Sequence, residues 1–196
     1  KPTLVVPRDL DECFAELTHP GRRTRILAGG TDMFVGIRQG IYDPQALVDV
    51  TGLEEMRGIS LKDGILSIGG ATTLAELEGD ERVSKAVPVL AECLRSLATP
   101  LVRQAATVAG DLCQEKRCWF FRSRFPCYKL GGPSCPCFAV LGDNRHHSIM
   151  DARRCAAPCP ADLAPVLAAL GAVVVIARRA GVRRMPVDEL YQWSGL

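Results

Sequence analysis

Seven of the nine cysteines of this 196-residue sequence, Cys113, Cys118, Cys127, Cys135, Cys137, Cys155 and Cys159, fall between residues 113 and 159. The order Cys118-x8-Cys127-x7-Cys135-x19-Cys155 suits thiolate ligation of a metal centre. Structural zinc sites usually pair ligands two to four residues apart. The intervals here are wider, and His146 and His147 are adjacent, a poor spacing for two ligands of one ion. An iron–sulfur cluster accepts thiolates from distant loops, because four sulfurs need only reach its corners. The spacing therefore points to a four-iron cluster. A structural zinc site and a set of unligated core cysteines are the other readings, and Cys137 rivals Cys135 as a ligand. Arg117, Arg122, Arg124 and Lys129 are expected to offset thiolate charge, and Trp119, Phe120, Phe121 and Phe125 to exclude water. Cys13 and Cys93 stand alone in helical patterns and read as buried apolar fillers.

A second stretch with chemical potential is AGGTD, Ala28–Asp32. Glycines between a strand and a helix leave backbone amides open to a close ligand, and amides at a helix start favour an anion such as phosphate. The plain alternative is a tight turn in which Thr31 or Asp32 caps the helix. Neither a GxGxxG fingerprint nor a GK[ST] loop is present. GGATT, Gly69–Thr73, repeats the strand–glycine–helix logic and reads as structural. In TVAGDL, Thr107–Leu112, Ala109 and Gly110 make a flat backbone surface for a planar or extended ligand, and Asp111 adds an acceptor.

The elements that must position these groups follow from periodicity and punctuation. Helices are expected at 9–17, 33–38, from Leu74, over 83–97 with a break at Pro88, and at 162–170. Strands are expected at 24–28, 46–50, 64–68, 172–177 and 182–185, the last two as a hairpin around Ala180-Gly181. Residues 53–59 read as a turn or short helix and 107–108 as a short strand or turn. Strands alternate with helices early and pair locally later, which suggests two α/β lobes joined near residues 52–60.

Bulk properties narrow the function. A formal charge of +2 gives no argument for nucleic acid or an anionic membrane surface. No apolar run approaches the ~18 residues of a membrane span. The opening KPTLVVPRDLDEC is no secretory signal, so a cytoplasmic, reducing location is the default expectation. An odd number of cysteines in that setting argues against a disulfide framework.

Taken in order, ILAGGTD, TVAGDL, RCWFF…C-x7-C, GDNRHHSI and C…PADLAPVLAALGA resemble the FAD-binding medium subunit of the molybdenum hydroxylases, the xanthine dehydrogenase and carbon monoxide dehydrogenase superfamily. The inserted cysteines resemble the branch typified by 4-hydroxybenzoyl-CoA reductase and certain bacterial aldehyde oxidoreductases. The resemblance implies an α+β, two-lobed FAD-binding fold of the PCMH type. Its subdomains would span residues 1–55 and 56–196, with FAD in the cleft between them and an iron–sulfur loop at about 113–159. Leu27, Ala28, Gly29, Gly30, Thr31, Asp32 and Met33 would cradle the FAD diphosphate, Thr107, Gly110 and Asp111 would line a second stretch, and Asp162 would contact the ribityl or pyrophosphate region. From its own residues alone Asp162 reads as a helix N-cap. The resemblance implies that Cys118, Cys127, Cys135 and Cys155 ligate a 4Fe-4S cluster.

The implied activity is that of an FAD-dependent oxidoreductase subunit that relays electrons and supplies no catalytic acid or base. Its partners would be a molybdenum-cofactor large subunit, a small subunit with two 2Fe-2S clusters, and an external electron carrier. The alternative functions are a cluster-only relay without FAD and a zinc scaffold. Three features depart from the family pattern. Gly110-Asp111 stands for the usual Gly-Asn, the interval from Cys118 to Cys127 is shorter than in 4-hydroxybenzoyl-CoA reductase, and relatives continue beyond the position of Leu196 with a C-terminal α/β domain.

Overall fold

Three short strands begin the fold. In the computed structural model, which describes residues 1–150 and 154–192, they are β1 (Thr3–Val5), β2 (Thr24–Leu27) and β3 (Ala46–Asp49). They form a parallel sheet in the order β1-β3-β2, with Leu47 facing both Leu4 and Arg25 in register and Val48 facing Val5 and Ile26. The central strand is buried at Ala46, Leu47 and Val48, as expected of a strand covered on both faces. Helix α1 (Leu10–Leu17) starts where Asp9 accepts a hydrogen bond from the Glu12 N–H at 2.8 Å, and it lays Cys13 into a core with Val48, Val50 and Leu53. Helix α2 (Met33–Arg38) follows the glycine turn. A 3-10 turn, Glu54–Met56, leads out of this unit.

Strands β4 (Ile59–Lys62) and β5 (Ile65–Ile68) form an antiparallel pair. Helices α3 (Leu74–Gly79), α4 (Glu81–Ala86), α5 (Pro88–Ser96) and α6 (Pro100–Ala105) come next. Thr73 and Glu76 make a reciprocal capping box at the start of α3. Pro88, at the first position of α5, separates it from α4, which is the break expected from the sequence. Helix α7 (Val108–Leu112) stands where a short strand or turn was expected: Thr107 caps it through the Gly110 N–H, and only a single bridge joins Thr107 to Thr73.

The cysteine segment is also more ordered than its glycines and prolines suggest. It holds three single-turn helices, α8 (Trp119–Arg122), α9 (Tyr128–Gly131) and α10 (Phe138–Leu141), each preceded directly by a cysteine: Cys118, Cys127 and Cys137. Helix α11 (Leu163–Ala169) then leads into the hairpin of β6 (Val173–Arg178) and β7 (Gly181–Pro186), and α12 (Glu189–Gln192) follows. No helix among the described residues is long and apolar enough to cross a membrane.

The larger core joins Leu74, Leu77, Val83, Leu90, Leu94, Leu97, Val108 and Leu163, so α3, α4, α5, α7 and α11 share one apolar interior. Cys93 packs against it half-buried, while Cys13 is fully enclosed in the smaller core. Arg103 of α6 is buried, where it donates to Glu78 at 2.7 Å and to the Leu97 carbonyl at 2.8 Å, tying α6 to α3. Leu94 has no exposed surface. Leu94→Ala should therefore lower the unfolding free energy by about 2–5 kcal/mol in urea titration; a loss below about 1 kcal/mol would show that this core is not packed as described.

Candidate functional site

The turn between β2 and α2 is shaped by close backbone approach. A Cβ on Gly29 would lie 1.7 Å from the Ala105 carbonyl oxygen, so only glycine lets the turn rest on the end of α6. Gly30 has φ +73, the left-handed region that glycine enters without penalty. Among the described residues, the N–H groups of Gly29, Gly30, Thr31 and Asp32 meet no backbone or side-chain acceptor. Successive free amides around a left-handed residue form a concave donor surface suited to an anion. Leu27 beneath it is buried, Ala28 and Met33 are half-buried, and Thr31 is exposed.

The other small-residue turns meet the first. Gly70 packs against Ala109, Thr73 bridges Thr107, and the Val108 and Ala109 N–H groups donate to the carbonyls of Thr72 and Gly70. Gly29 of the first turn rests on Ala105 and Ala106 and Gly70 of the Gly69–Thr73 turn on Ala109, so both turns border the 105–109 backbone. The polar groups of the second stretch are already engaged. The Thr107 hydroxyl caps α7, the Gly110 N–H donates to that hydroxyl at 3.2 Å, and the Asp111 N–H donates to the Thr107 carbonyl.

Asp162 was expected to cap α11, yet its side chain makes no cap hydrogen bond. The carboxylate of Asp111 does so instead, accepting from the Leu163 N–H at 2.9 Å and the Asp162 N–H at 3.4 Å. The carboxylate at the Gly-Asp position therefore fixes the chain entering α11. The Asp162 side chain is left on the exposed side, next to Asp111.

Asp32 likewise forgoes capping its own helix. Its carboxylate accepts from Arg122 Nη2 at 2.9 and 3.1 Å and from Arg117 Nη1 at 3.2 Å. This corrects two expectations: Thr31 and Asp32 are not helix caps, and Arg117 and Arg122 answer a carboxylate of the glycine turn. Lys129 pairs with Glu115 at 3.5 Å, and Arg124 lies against Gly40. Arg117 and Arg122 thus reach outside the segment to Asp32, while Lys129 pairs within it. Beside them Tyr42 lies flat against Gly36 of α2, and its phenol is pushed up to about 12 by burial and by the nearby negative charges of Glu115 and Asp32.

Cys118, Cys127, Cys137 and Cys155 line one small apolar cavity together with Phe120, Phe121, Tyr128 and Phe138. Three of the four sequence-named ligands are therefore brought together. Cys135 is not among the lining residues; its sulfur rests against Gly131, where a Cβ would come within 2.4 Å of it. As they stand, the described residues hold no group of three or more Cys, His, Asp or Glu arranged around a metal position. Burial raises the Cys118 thiol, opposed by N–H donation from Phe121 and Phe120, while the nearby thiols of Cys155 and Cys127 raise it further. Phe120, Phe125 and Phe138 pack ring to ring over the segment, with Trp119 edge-on to Phe120.

His147 was set aside with His146 as a poorly spaced ligand pair, yet its Nε2 lies 3.1 Å from Cys118 Sγ. Nothing local could have shown this, since the two residues are 29 apart. A surface groove lined by Arg57, Glu76, Asp80 and Arg82 among others holds none of the named site residues, and these charges pair with one another.

Asp111 yields a pH test. Its carboxyl is held above the usual carboxylate range because burial disfavours the charge, against the pull of the two helix N–H groups. The folded state thus keeps this proton where the unfolded chain has released it. Ionisation therefore withdraws stability as pH rises above the unfolded value of about 3.9. Asp111→Asn removes the titration and keeps an acceptor at the helix end. In thermal unfolding from about pH 4 to about pH 7, the variant should gain on the parent as pH rises; a constant difference would contradict the burial.

Comparison with known proteins agrees with this geometry. A family model described as the FAD binding domain in molybdopterin dehydrogenase matches residues 1–195. The aldehyde oxidoreductase FAD-binding subunit PaoB of Escherichia coli is 33% identical over 175 residues, 87% of this chain and 54% of that protein. The carbon monoxide dehydrogenase medium chain of Hydrogenophaga pseudoflava is 30% identical over 106 residues, 54% of this chain and 37% of that one. Among solved structures, quinoline 2-oxidoreductase from Pseudomonas putida 86 superposes with a TM-score of 0.67 and 25% identity over 95% of this chain and 50% of that chain. Carbon monoxide dehydrogenase from Hydrogenophaga pseudoflava, at 22% identity, shares the fold with a TM-score of 0.69 over 96% of this chain and 51% of its own. The chain spans about half the length of PaoB and about a third of an Escherichia coli xanthine dehydrogenase FAD-binding subunit. The mixed α/β fold expected from the sequence is therefore borne out, and with a family match running almost end to end, the chain belongs to the FAD-binding domains of the molybdopterin dehydrogenases.

Proposed function

We propose that the chain is the flavin and iron–sulfur relay subunit of a molybdenum-cofactor oxidoreductase. The carrying observation is the run of free N–H groups from Gly29 to Asp32, set on a turn that cannot accept a side chain at Gly29 without displacing α6. These amides fit the FAD diphosphate. Thr107, Gly110 and Asp111 would then offer a backbone surface to the cofactor, and the exposed Asp162 would be a polar contact. On this reading FAD occupies the cleft between a lobe of residues 1–55 and a lobe of residues 56–196, the last residues of which, 193–196, lie outside those described. The two separate apolar cores support that division.

The cysteine segment would hold a 4Fe-4S cluster. Cys118, Cys127 and Cys155 supply three thiolates, and the Cys135–Cys137 turn supplies the fourth. The motif spacing names Cys135, whereas the cavity lining brings Cys137. The aromatic cover of Phe120, Phe121 and Phe138 suits a cluster whose potential depends on exclusion of water. Bound flavin supplies two-electron chemistry, and bound cluster supplies one-electron steps. The chain's own residues bind, orient and shield; none is positioned as a catalytic acid or base. The partners would be a molybdenum-cofactor large subunit, a small subunit with two 2Fe-2S clusters and an external electron carrier. The names of the relatives, which include aldehyde oxidoreductase and carbon monoxide dehydrogenase subunits, support an oxidoreductase complex of this kind.

One observation favours a second reading. His147 Nε2 beside Cys118 Sγ at 3.1 Å is a pairing that a cysteine–histidine zinc site would use. Metal analysis of the anaerobically purified chain separates the two. Iron with acid-labile sulfide supports the cluster, and zinc without sulfide supports the scaffold. Cys127→Ser should remove iron and sulfide while flavin remains bound at saturating FAD, and Gly30→Val should do the reverse. Of Cys135→Ser and Cys137→Ser, the one that bleaches the cluster identifies the fourth ligand. If Cys127→Ser and Gly30→Val both left flavin and iron intact, the assignment would fall.

A further inference from the structure

Arg122 joins the glycine turn to the cysteine segment across 90 residues of chain. It closes the one-turn helix that begins directly after Cys118, so its guanidinium and that thiol belong to one rigid turn. Its Nε donates to the Lys116 carbonyl at 3.0 Å and its Nη2 to the Glu115 carbonyl at 3.3 Å, so its position depends on how residues 115–122 are folded. The same Nη2 holds both oxygens of Asp32. The side chains of Arg122 and Asp32 are only 11% and 18% exposed, so solvent screens this pair far less than a surface ion pair. Removing one partner would strand a charge away from water, and the survivor would move to find one.

The surroundings reinforce the connection. Among the described residues Arg122 Nη1, Glu115 Oε2 and the Tyr42 hydroxyl are buried and meet no hydrogen-bond partner, and the charges of Glu115, Asp32 and Arg122 all act on the Tyr42 hydroxyl. Glu115, Asp32, Arg122 and Tyr42 thus share one electrostatic neighbourhood, and displacing any of these charges changes the field at the others. On the far side Tyr42 packs on Gly36 of α2, the helix that leaves the glycine turn. A shift in residues 115–122 would thus reach the turn both through Asp32 and through α2.

We propose that Arg122 is a positioning residue that couples the two cofactor sites, holding the amides of Gly29–Asp32 in their anion-receiving shape only while the cysteine segment is ordered around its cluster. This rests on the FAD-and-cluster reading above. Coupling of this kind is reciprocal: a cluster that favours FAD is itself favoured by FAD to the same factor.

The experiment is a double-variant cycle on the full chain, read by FAD affinity from flavin fluorescence and by the rate of iron loss to a chelator. Cys127→Ser is expected to weaken FAD binding on the order of tenfold. Arg122→Met should weaken it by a similar factor with iron still present, and the double variant should be no weaker than either single one. FAD should slow iron loss in the parent and have no such effect in Arg122→Met. Arg122→Lys, which keeps the charge but not the planar fork, should recover part of both effects and guards against simple misfolding of the Met variant. Losses that multiply in the double variant, or an unchanged FAD affinity in Arg122→Met, would overturn the coupling while the FAD-and-cluster reading stands. A parent chain that holds neither flavin nor iron would end that reading and the coupling with it.

Discussion

A carboxylate at the start of a helix ordinarily folds back onto the helix's own amides. Asp32 does not; it reaches the guanidinium groups of Arg122 and Arg117 in the cysteine segment. The consequence is twofold. Among the described residues the amides of the turn meet no internal acceptor, and the turn is anchored to a segment whose own order depends on short helices and aromatic contacts. A capped turn would be a self-sufficient piece of structure. This one is an open donor surface braced from outside, a geometry that suits a ligand bringing its own negative charge.

The same transfer of roles recurs at Asp111. It takes over the capping of α11 from Asp162 and so ties the 107–112 stretch to the helix that enters the C-terminal hairpin. Gly29 on the Ala105 carbonyl and Gly70 on Ala109 complete the arrangement, because each lets backbone lie on backbone where any side chain would intrude. Long-range polar contacts and missing side chains, more than local secondary structure, thus place the glycine turn on the end of α6 and Asp111 at the start of α11.

Much of the framework was legible because it is written locally. Helix α1 has its Asp9 cap and apolar spacing, α5 begins at Pro88, and the β6–β7 hairpin forms as expected, although it turns at Arg179-Ala180, one residue before the expected Ala180-Gly181, because Gly181 pairs with Arg178. Strand β1 was missed because Thr3–Val5 is largely exposed and becomes a strand only by pairing with β3. Helix α6 was missed although Thr99 followed by Pro100 is a sound start signal. At the site, the glycine turn and the cysteine cluster could be seen, since residue type and spacing carry them. The partners of Asp32, Asp111 and His147 could not. An acid before a helix looks like a local cap whatever its true partner, and which acceptor wins depends on packing between distant segments. The choice between Cys135 and Cys137 is of the same kind, because the two are neighbours in sequence and only packing puts Cys137 at the cavity and Cys135 against Gly131.

The central claim is that the free amides of Gly29–Asp32 receive FAD and that residues 115–122 brace them. Hydrogen exchange followed by mass spectrometry, with and without FAD, tests it most directly. The account predicts slowed exchange at residues 29–33 together with residues 115–122. Tight FAD binding that left exchange at 29–33 unchanged would contradict it.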